Sequence, residues 1–175
     1  MYNIIYKGGN FLSIHYEIER KFLIRMPKVE DLAKNKECKS VNIMQTYLKD
    51  KTRIRKCETE NETVYIKTVK HKISDVTRIE EESLITKEEY LELFNNKDPM
   101  RQTIQKVRYK YPYKEKVFEI DIFPFWDDRA FLEIELEREE EEFSIPPILE
   151  VIKEVTQQKE YRNFALSKEI PTEEI

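Results

Sequence analysis

Tyr16-Glu17-Ile18-Glu19-Arg20-Lys21-Phe22-Leu23-Ile24 is the stretch on which the reading of this chain turns. Read as a strand, its side chains alternate, so Glu17, Glu19 and Lys21 share one face while Ile18, Phe22 and Ile24 share the other. Two carboxylates two residues apart can converge on one hard cation, and the adjacent ammonium is left for an anion. A soluble strand with one charged face is ordinary. Here the rest of the chain repeats the arrangement.

Working outward, Arg53 and Arg55 flank Ile54, and Lys67 sits between Ile66 and Thr68. Arg78, Glu80 and Glu82 alternate along another run, as do Lys106 and Arg108, Glu119 and Asp121, and Glu133 and Glu135. The pattern predicts strands over 14–24, 41–49, 52–58, 63–69, 76–84, 101–111, 116–123 and 130–137, joined mainly by short turns such as Asp50-Lys51. Helices are expected from Pro27 to about Asn35, from Lys87 to Phe94 behind a Thr86 cap, from Pro146-Pro147 to about Val155, and over 160–168. Sequential hairpins imply an antiparallel sheet, and eight strands can close into a barrel. The expected fold is α+β: an eight-stranded antiparallel β-barrel, charged inside, with helices packed outside. Residues 1–13 lack the alternation and read as an extension, 14–170 as a single domain, and 171–175 as a tail.

Composition bounds the function. The chain has 175 residues, a formal net charge of -4 and 38% charged residues, against about 25% in an average globular chain. The acidic balance argues against general nucleic-acid or membrane-surface binding. With 11% aromatics and clear periodicity, the charge does not read as disorder. The only two glycines are adjacent, Gly8-Gly9, so there is no Gly-rich phosphate loop and side chains must hold any phosphate. Cys38 and Cys57 are not expected to pair, since a turn at Asp50-Lys51 sets Cys57 opposite Met44. Two separated thiols, no apolar run near 18 residues and no secretory leader make a cytoplasmic location the expectation. His15 and His71 are too few and too scattered for a zinc site.

Strand by strand, charged faces are usually solvated. The helices, however, carry apolar stripes such as Tyr90, Leu91 and Phe94, which need a surface to cover. If they cover the barrel's outside, the charge points inward. The acids inside would be Glu17, Glu19, Glu80, Glu82, Glu119, Asp121, Glu133 and Glu135, and the bases Lys21, Arg53, Arg55, Lys67, Arg78, Lys106 and Arg108. Eight acids against seven bases is close to neutral, so pairing limits the desolvation cost. Two divalent cations would leave a positive interior suited to a polyphosphate.

These residues resemble the CYTH family, the triphosphate tunnel metalloenzymes, whose signature Glu-x-Glu-x-Lys stands here as Glu17-Ile18-Glu19-Arg20-Lys21. The likeness recurs in order at Gln45-Thr46-Tyr47-Leu48, Arg53-Ile54-Arg55, Tyr65-Ile66-Lys67, Arg78 to Glu82, Lys106-Val107-Arg108, Glu119-Ile120-Asp121, Leu132 to Glu135, and Val155-Thr156 through Lys159, Tyr161 and Asn163. It covers roughly residues 14–168. One departure is Gln157-Gln158, where members often have Gly-Asp. The resemblance implies dependence on magnesium or manganese, with two ions, and substrates ending in a triphosphate. By position, Glu17, Glu19, Glu133 and Glu135 correspond to metal ligands, with Glu80, Glu82, Glu119 and Asp121 placing a second metal or ordering basic residues. Lys21, Arg53, Arg55, Lys67, Arg78, Lys106, Arg108 and Lys159 correspond to the substrate clamp, and Glu17, Glu19, Lys21, Glu133 and Glu135 to the catalytic set.

The expected reaction is hydrolysis of tripolyphosphate, ATP or another nucleoside triphosphate to a diphosphate and phosphate. Adenylyl cyclase chemistry, thiamine triphosphate hydrolysis with Trp126 against the thiazolium, and a non-catalytic polyphosphate or nucleotide module are the alternatives. A homodimer through an outer face would be compatible with the pattern.

Overall fold

The computed structural model describes residues 3–7, 10–73 and 77–175; at 3–7, 10–13, 15–17, 72, 77 and 78 the description is of the backbone alone. Among the described residues ten strands form one antiparallel sheet: β1 Asn3–Lys7, β2 Asn10–Arg25, β3 Lys39–Tyr47, β4 Arg53–Glu58, β5 Thr63–Lys72, β6 Thr77–Ile85, β7 Ile104–Tyr113, β8 Lys116–Ile122, β9 Arg129–Leu136 and β10 Val151–Glu154. The hairpins follow local chemistry. Lys51 and Lys114 take positive φ, 69° and 54°, at the β3–β4 and β7–β8 turns. The first pairs Cys57 with Ile43, one residue away from the expected Met44, and both thiols are free.

The expected eight-stranded closed barrel is corrected. The sheet runs β1-β2-β6-β5-β4-β3-β7-β8-β9, and β9 then pairs β2. It meets β2 on a different half: Leu12–Ile18 carry β6, Ile18–Arg25 carry β9, and among the described residues only Ile18 belongs to both ladders. The cause is length. Sixteen residues extend about 50 Å at roughly 3.3 Å each, while β6 and β9 have nine and eight residues, so neither neighbour spans β2. The sheet is therefore strongly curved but is not closed into a barrel along the length of β2. Beyond Ile18, the edge of β2 that β6 leaves bare is taken by the short strand β10, paired at Phe22–Ile24. Past its end the Val155 amide donates to the Lys21 carbonyl (2.8 Å) and the Lys21 amide to Thr156 Oγ1 (2.9 Å). The helix expected after Pro146-Pro147 is this strand, because an open sheet edge offers its backbone partners. Chain pairing also begins earlier than Ile14, with β1 on the start of β2.

Apolar side chains of β2, β8 and β9 pack on the convex side. Phe22, Ile24, Phe118, Ile120, Leu132 and Ile134 are buried there with Leu149 and with Leu32 of α1 (Val29–Ala33). Helix α2 (Lys87–Phe94) begins as expected at Thr86, in a reciprocal capping box with Glu89. Its Tyr90 covers Ile54, Tyr65 and Ile85 on the same side. A third apolar cluster lies on the concave side and plugs one end: Leu23, Ile104, Phe123, Phe131, Val155, Tyr161 and Leu166. The C-terminal segment supplies part of it through a 3-10 turn, Lys159–Tyr161, and α3, Asn163–Leu166. Trp126 packs edge-on to Phe123, Phe125 and Phe131 in this plug, a structural place. Among the described residues no helix is long and apolar enough to cross a membrane.

Candidate active site

The concave face holds a cavity of about 800 Å³. Alternation decides what enters it. β2 presents Glu19 and Lys21, β4 presents Arg53 and Arg55, β6 presents Glu80 and Glu82, β7 presents Lys106 and Arg108, β8 presents Glu119, and β9 presents Glu133 and Glu135. Asp121, wholly buried behind Lys106 and Arg108, belongs to the same face. The side chains of Glu17 and Arg78 lie outside the described residues, although the backbone pairs the two positions across β2 and β6.

Two expected clamp residues are not brought in. The loop Thr59–Glu62 sets Glu58 opposite Thr63, so Arg53 faces Thr68 and Lys67 faces Ile54, which α2 covers. Lys67 is therefore on the convex face, and β5 contributes Val64, Ile66 and Lys70 to the cavity. Lys159 is exposed beside the cavity, while Tyr161, Arg162, Asn163 and Phe164 of the same segment line it. Sequence reasoning also missed Lys39, Lys51, Lys70 and Arg162. For β5 a signal existed: counting pairs outward from the 59–62 turn gives the observed register.

The charges form two groups. On one side Arg108 pairs with Glu119, Asp121 (2.6 Å) and Glu133 (2.5 Å), Lys106 with Asp121 (2.5 Å), and Lys21 with Glu133 (2.9 Å). On the other Arg53 reaches Glu80 (3.4 Å) and Glu82 (3.2 Å), Arg55 also reaches Glu82, and Thr68 donates to Glu82 (2.8 Å). Burial works against the charge of Glu133, but Lys21, Arg108 and Lys106 outweigh it and hold its carboxyl well below the ordinary range. Asp121 is likewise lowered, burial being outweighed by Arg108 and Lys106. Burial, reinforced by neighbouring Arg53, pushes Arg55 down to about 10, and burial with nearby Arg108 also lowers Lys106. Tyr47, at the inner end of β3, is pushed up to about 12 by burial, so its hydroxyl stays protonated, and it accepts from Gln45 (3.0 Å).

Among the described residues of this face, ten lysines and arginines stand against six glutamates and Asp121, an excess of three positive charges. The near-neutral count made from sequence is corrected upward by the lysines on β3, β5 and β7, the β3–β4 turn's Lys51, and Arg162. A low-dielectric recess with that excess is an anion site, and its arginines can grip phosphate oxygens bidentately.

Whether a divalent ion fits is decided by which carboxylates the fold sets side by side. Among the described residues no three metal-ligating side chains cluster. Glu80, Glu82, Glu119, Asp121 and Glu133 are held by lysine and arginine. Glu19 and Glu135 stand directly opposite each other across the β2–β9 ladder, both lining the cavity. Like charges so placed repel. Magnesium is commonly held by one or two carboxylates together with substrate phosphates, not by an all-protein cage, so this oxygen pair fits such an ion.

The site is a cation-rich cavity on the concave face of a curved antiparallel sheet. No protein-family model matches the chain, and no curated protein matches it. Among solved structures it is similar to the inorganic triphosphatase NE1496, at 28% identity over 89% of this chain and 99% of that one, with a TM-score of 0.54. A second crystal structure, of the hypothetical protein NE1496, gives 28% identity over the same shares and a TM-score of 0.55. The PH1012 protein from Pyrococcus horikoshii OT3 follows at 20% identity over 70% of this chain and 80% of that one, with a TM-score of 0.46. The chain is thus a structural homologue of a protein named as a triphosphatase, at modest identity.

Proposed function

We propose that this protein is a CYTH-type phosphoanhydride hydrolase that cleaves a triphosphate, inorganic or nucleoside, to a diphosphate and phosphate with magnesium or manganese. The supporting observation is the cavity's order of charge: Arg53, Arg55, Lys106 and Arg108 on β4 and β7, and the opposed Glu19 and Glu135 on β2 and β9. The homology to NE1496 favours hydrolysis over the other chemistries.

In this reading Arg53, Arg55, Lys106 and Arg108 bind the phosphate chain, with Arg78 and Lys70 beside them on β6 and β5. Their paired carboxylates Glu80, Glu82, Glu119 and Asp121 act by ordering them, and Glu133 by orienting Lys21. The Lys21 ammonium sits 3.8 Å above the Phe131 ring centroid and 2.9 Å from Glu133, so it is fixed as a ligand for the terminal phosphate. Glu19 and Glu135, with Glu17 two residues along β2, would hold the divalent ion. Bound there, it supplies charge neutralisation on phosphate oxygens and a polarised water for in-line attack. The apolar plug at one end keeps bulk water from that side of the cleft.

The test is phosphate release from tripolyphosphate, ATP and GTP in magnesium or manganese, with products identified. Glu19→Gln is expected to lower turnover by about a hundredfold or more, because it weakens the ion's seat. Wild-type turnover and wild-type metal dependence in that variant would overturn the metal assignment. Cyclic nucleotide as the main product from ATP would overturn the hydrolase reading.

A further inference from the structure

The charged band accounts for only part of the cavity wall. The adjoining part, on β3, β4 and β5, is apolar: Val41, Ile43, Cys57, Val64 and Ile66 all line it. Their adjacency follows from register, since Ile43 faces Cys57 and Cys57 faces Val64 across successive ladders. The patch borders the cations directly. Val41 pairs with Arg108, Ile43 with Lys106, and Ile66 with Arg55. None of the five belongs to the three described apolar clusters of the fold, although Ile43 and Cys57 are buried at 4% and 8% exposure. Their side chains face the cavity, not a packed core.

An inorganic phosphate chain gains nothing from such a wall. Aliphatic surface turned toward a phosphate site raises the cost of bringing an ion there and contributes no hydrogen bond. The volume, about 800 Å³, falls in the range of roughly 300–1,000 Å³ typical of clefts that enclose drug-sized molecules. At the patch's margin Ser40 and Thr59 add polar atoms beside the cations, as expected where an apolar face needs a few orienting groups. Arg55 stands beside the patch, and a guanidinium can stack on a planar ring.

We propose that the Val41–Ile43–Cys57–Val64–Ile66 wall is a subsite for the organic part of the substrate, so that the preferred ligand is a triphosphate ester carrying a ring system of nucleoside size. The inference rests on the triphosphate reading of the same cavity and narrows it. The phosphates lie on the β4 and β7 cations, and the ring lies against β3, β4 and β5.

The experiment compares tripolyphosphate with ATP, GTP and UTP in the intact protein, both by phosphate release and by calorimetric binding of non-hydrolysable imido analogues. Wild type is expected to bind at least one nucleotide analogue about tenfold or more tighter than imido-tripolyphosphate, the discrimination that a few buried apolar contacts give. Val41→Thr and Val64→Thr, which nearly conserve shape, are expected to raise the nucleotide Kd several-fold and leave the imido-tripolyphosphate Kd within twofold. Equal loss for both ligands, or tighter binding of the inorganic chain by wild type, overturns the proposal. If no triphosphate is turned over, the hydrolase reading fails by itself, and the two affinities still decide the wall.

Discussion

Asp121 is the place where the network can be broken with one atom's change. It is completely buried and accepts from Arg108 twice (2.6 Å each) and from Lys106 (2.5 Å). Asp121→Asn keeps the shape and removes the charge. Arg108 retains Glu119 and Glu133, but the ammonium of Lys106, 2% exposed, loses its paired carboxylate. Leaving one buried charge without its partner costs about 3–5 kcal/mol, and the lower end applies because Lys106 borders a cavity that water can enter. About 3 kcal/mol should lower Tm by roughly 6–12 °C in a chain of this length. Thermal and urea unfolding at neutral pH measure it. Adding Lys106→Met should recover part of the loss, since the stranded ammonium is then gone. A single variant within about 0.5 kcal/mol of wild type, or strictly additive effects in the double-mutant cycle, would refute this account of the network.

Three further outcomes are expected. The lowered carboxyls of Asp121 and Glu133 contribute stability that is fully present above their unfolded values, near 4, and is lost as pH falls through their depressed folded values. Tm should therefore hold from pH 7 to about 5 and fall steeply on further acidification; a profile flat to pH 3 would contradict the pairing. Arg55→Ala should raise KM for the triphosphate about tenfold or more, a lost charge-assisted grip, whereas Lys67→Ala on the convex face should leave KM unchanged. Equal effects from the two would place β5 in the wrong register, which a cross-strand disulfide between positions 54 and 67 would test independently.

The period-two alternation at Glu17-Ile18-Glu19, Arg53-Ile54-Arg55 and Glu133-Ile134-Glu135 was readable from the chain alone, because side-chain direction in a strand is a local property of the backbone. So were the hairpins and the Thr86 cap, whose geometry is set within a few residues. The α+β class followed, and with it the separation of a charged face from an apolar one. Three things needed the whole fold. Lys67 and Lys70 fall on opposite faces by alternation, but which of them enters the cavity depends on the register of β5 on β4, which the 59–62 turn signals and Ile54 packing under α2 fixes. Val151–Glu154 has no strong local preference against helix, and becomes β10 because β6 ends at Ile18 and leaves a bare edge of β2. Closure itself depends on the relative lengths of β2, β6 and β9, and on which half of β2 each one meets. A local sequence pattern fixes what a strand offers on each face; only the pairing of distant strands decides which neighbour, which cavity and which ion it is offered to.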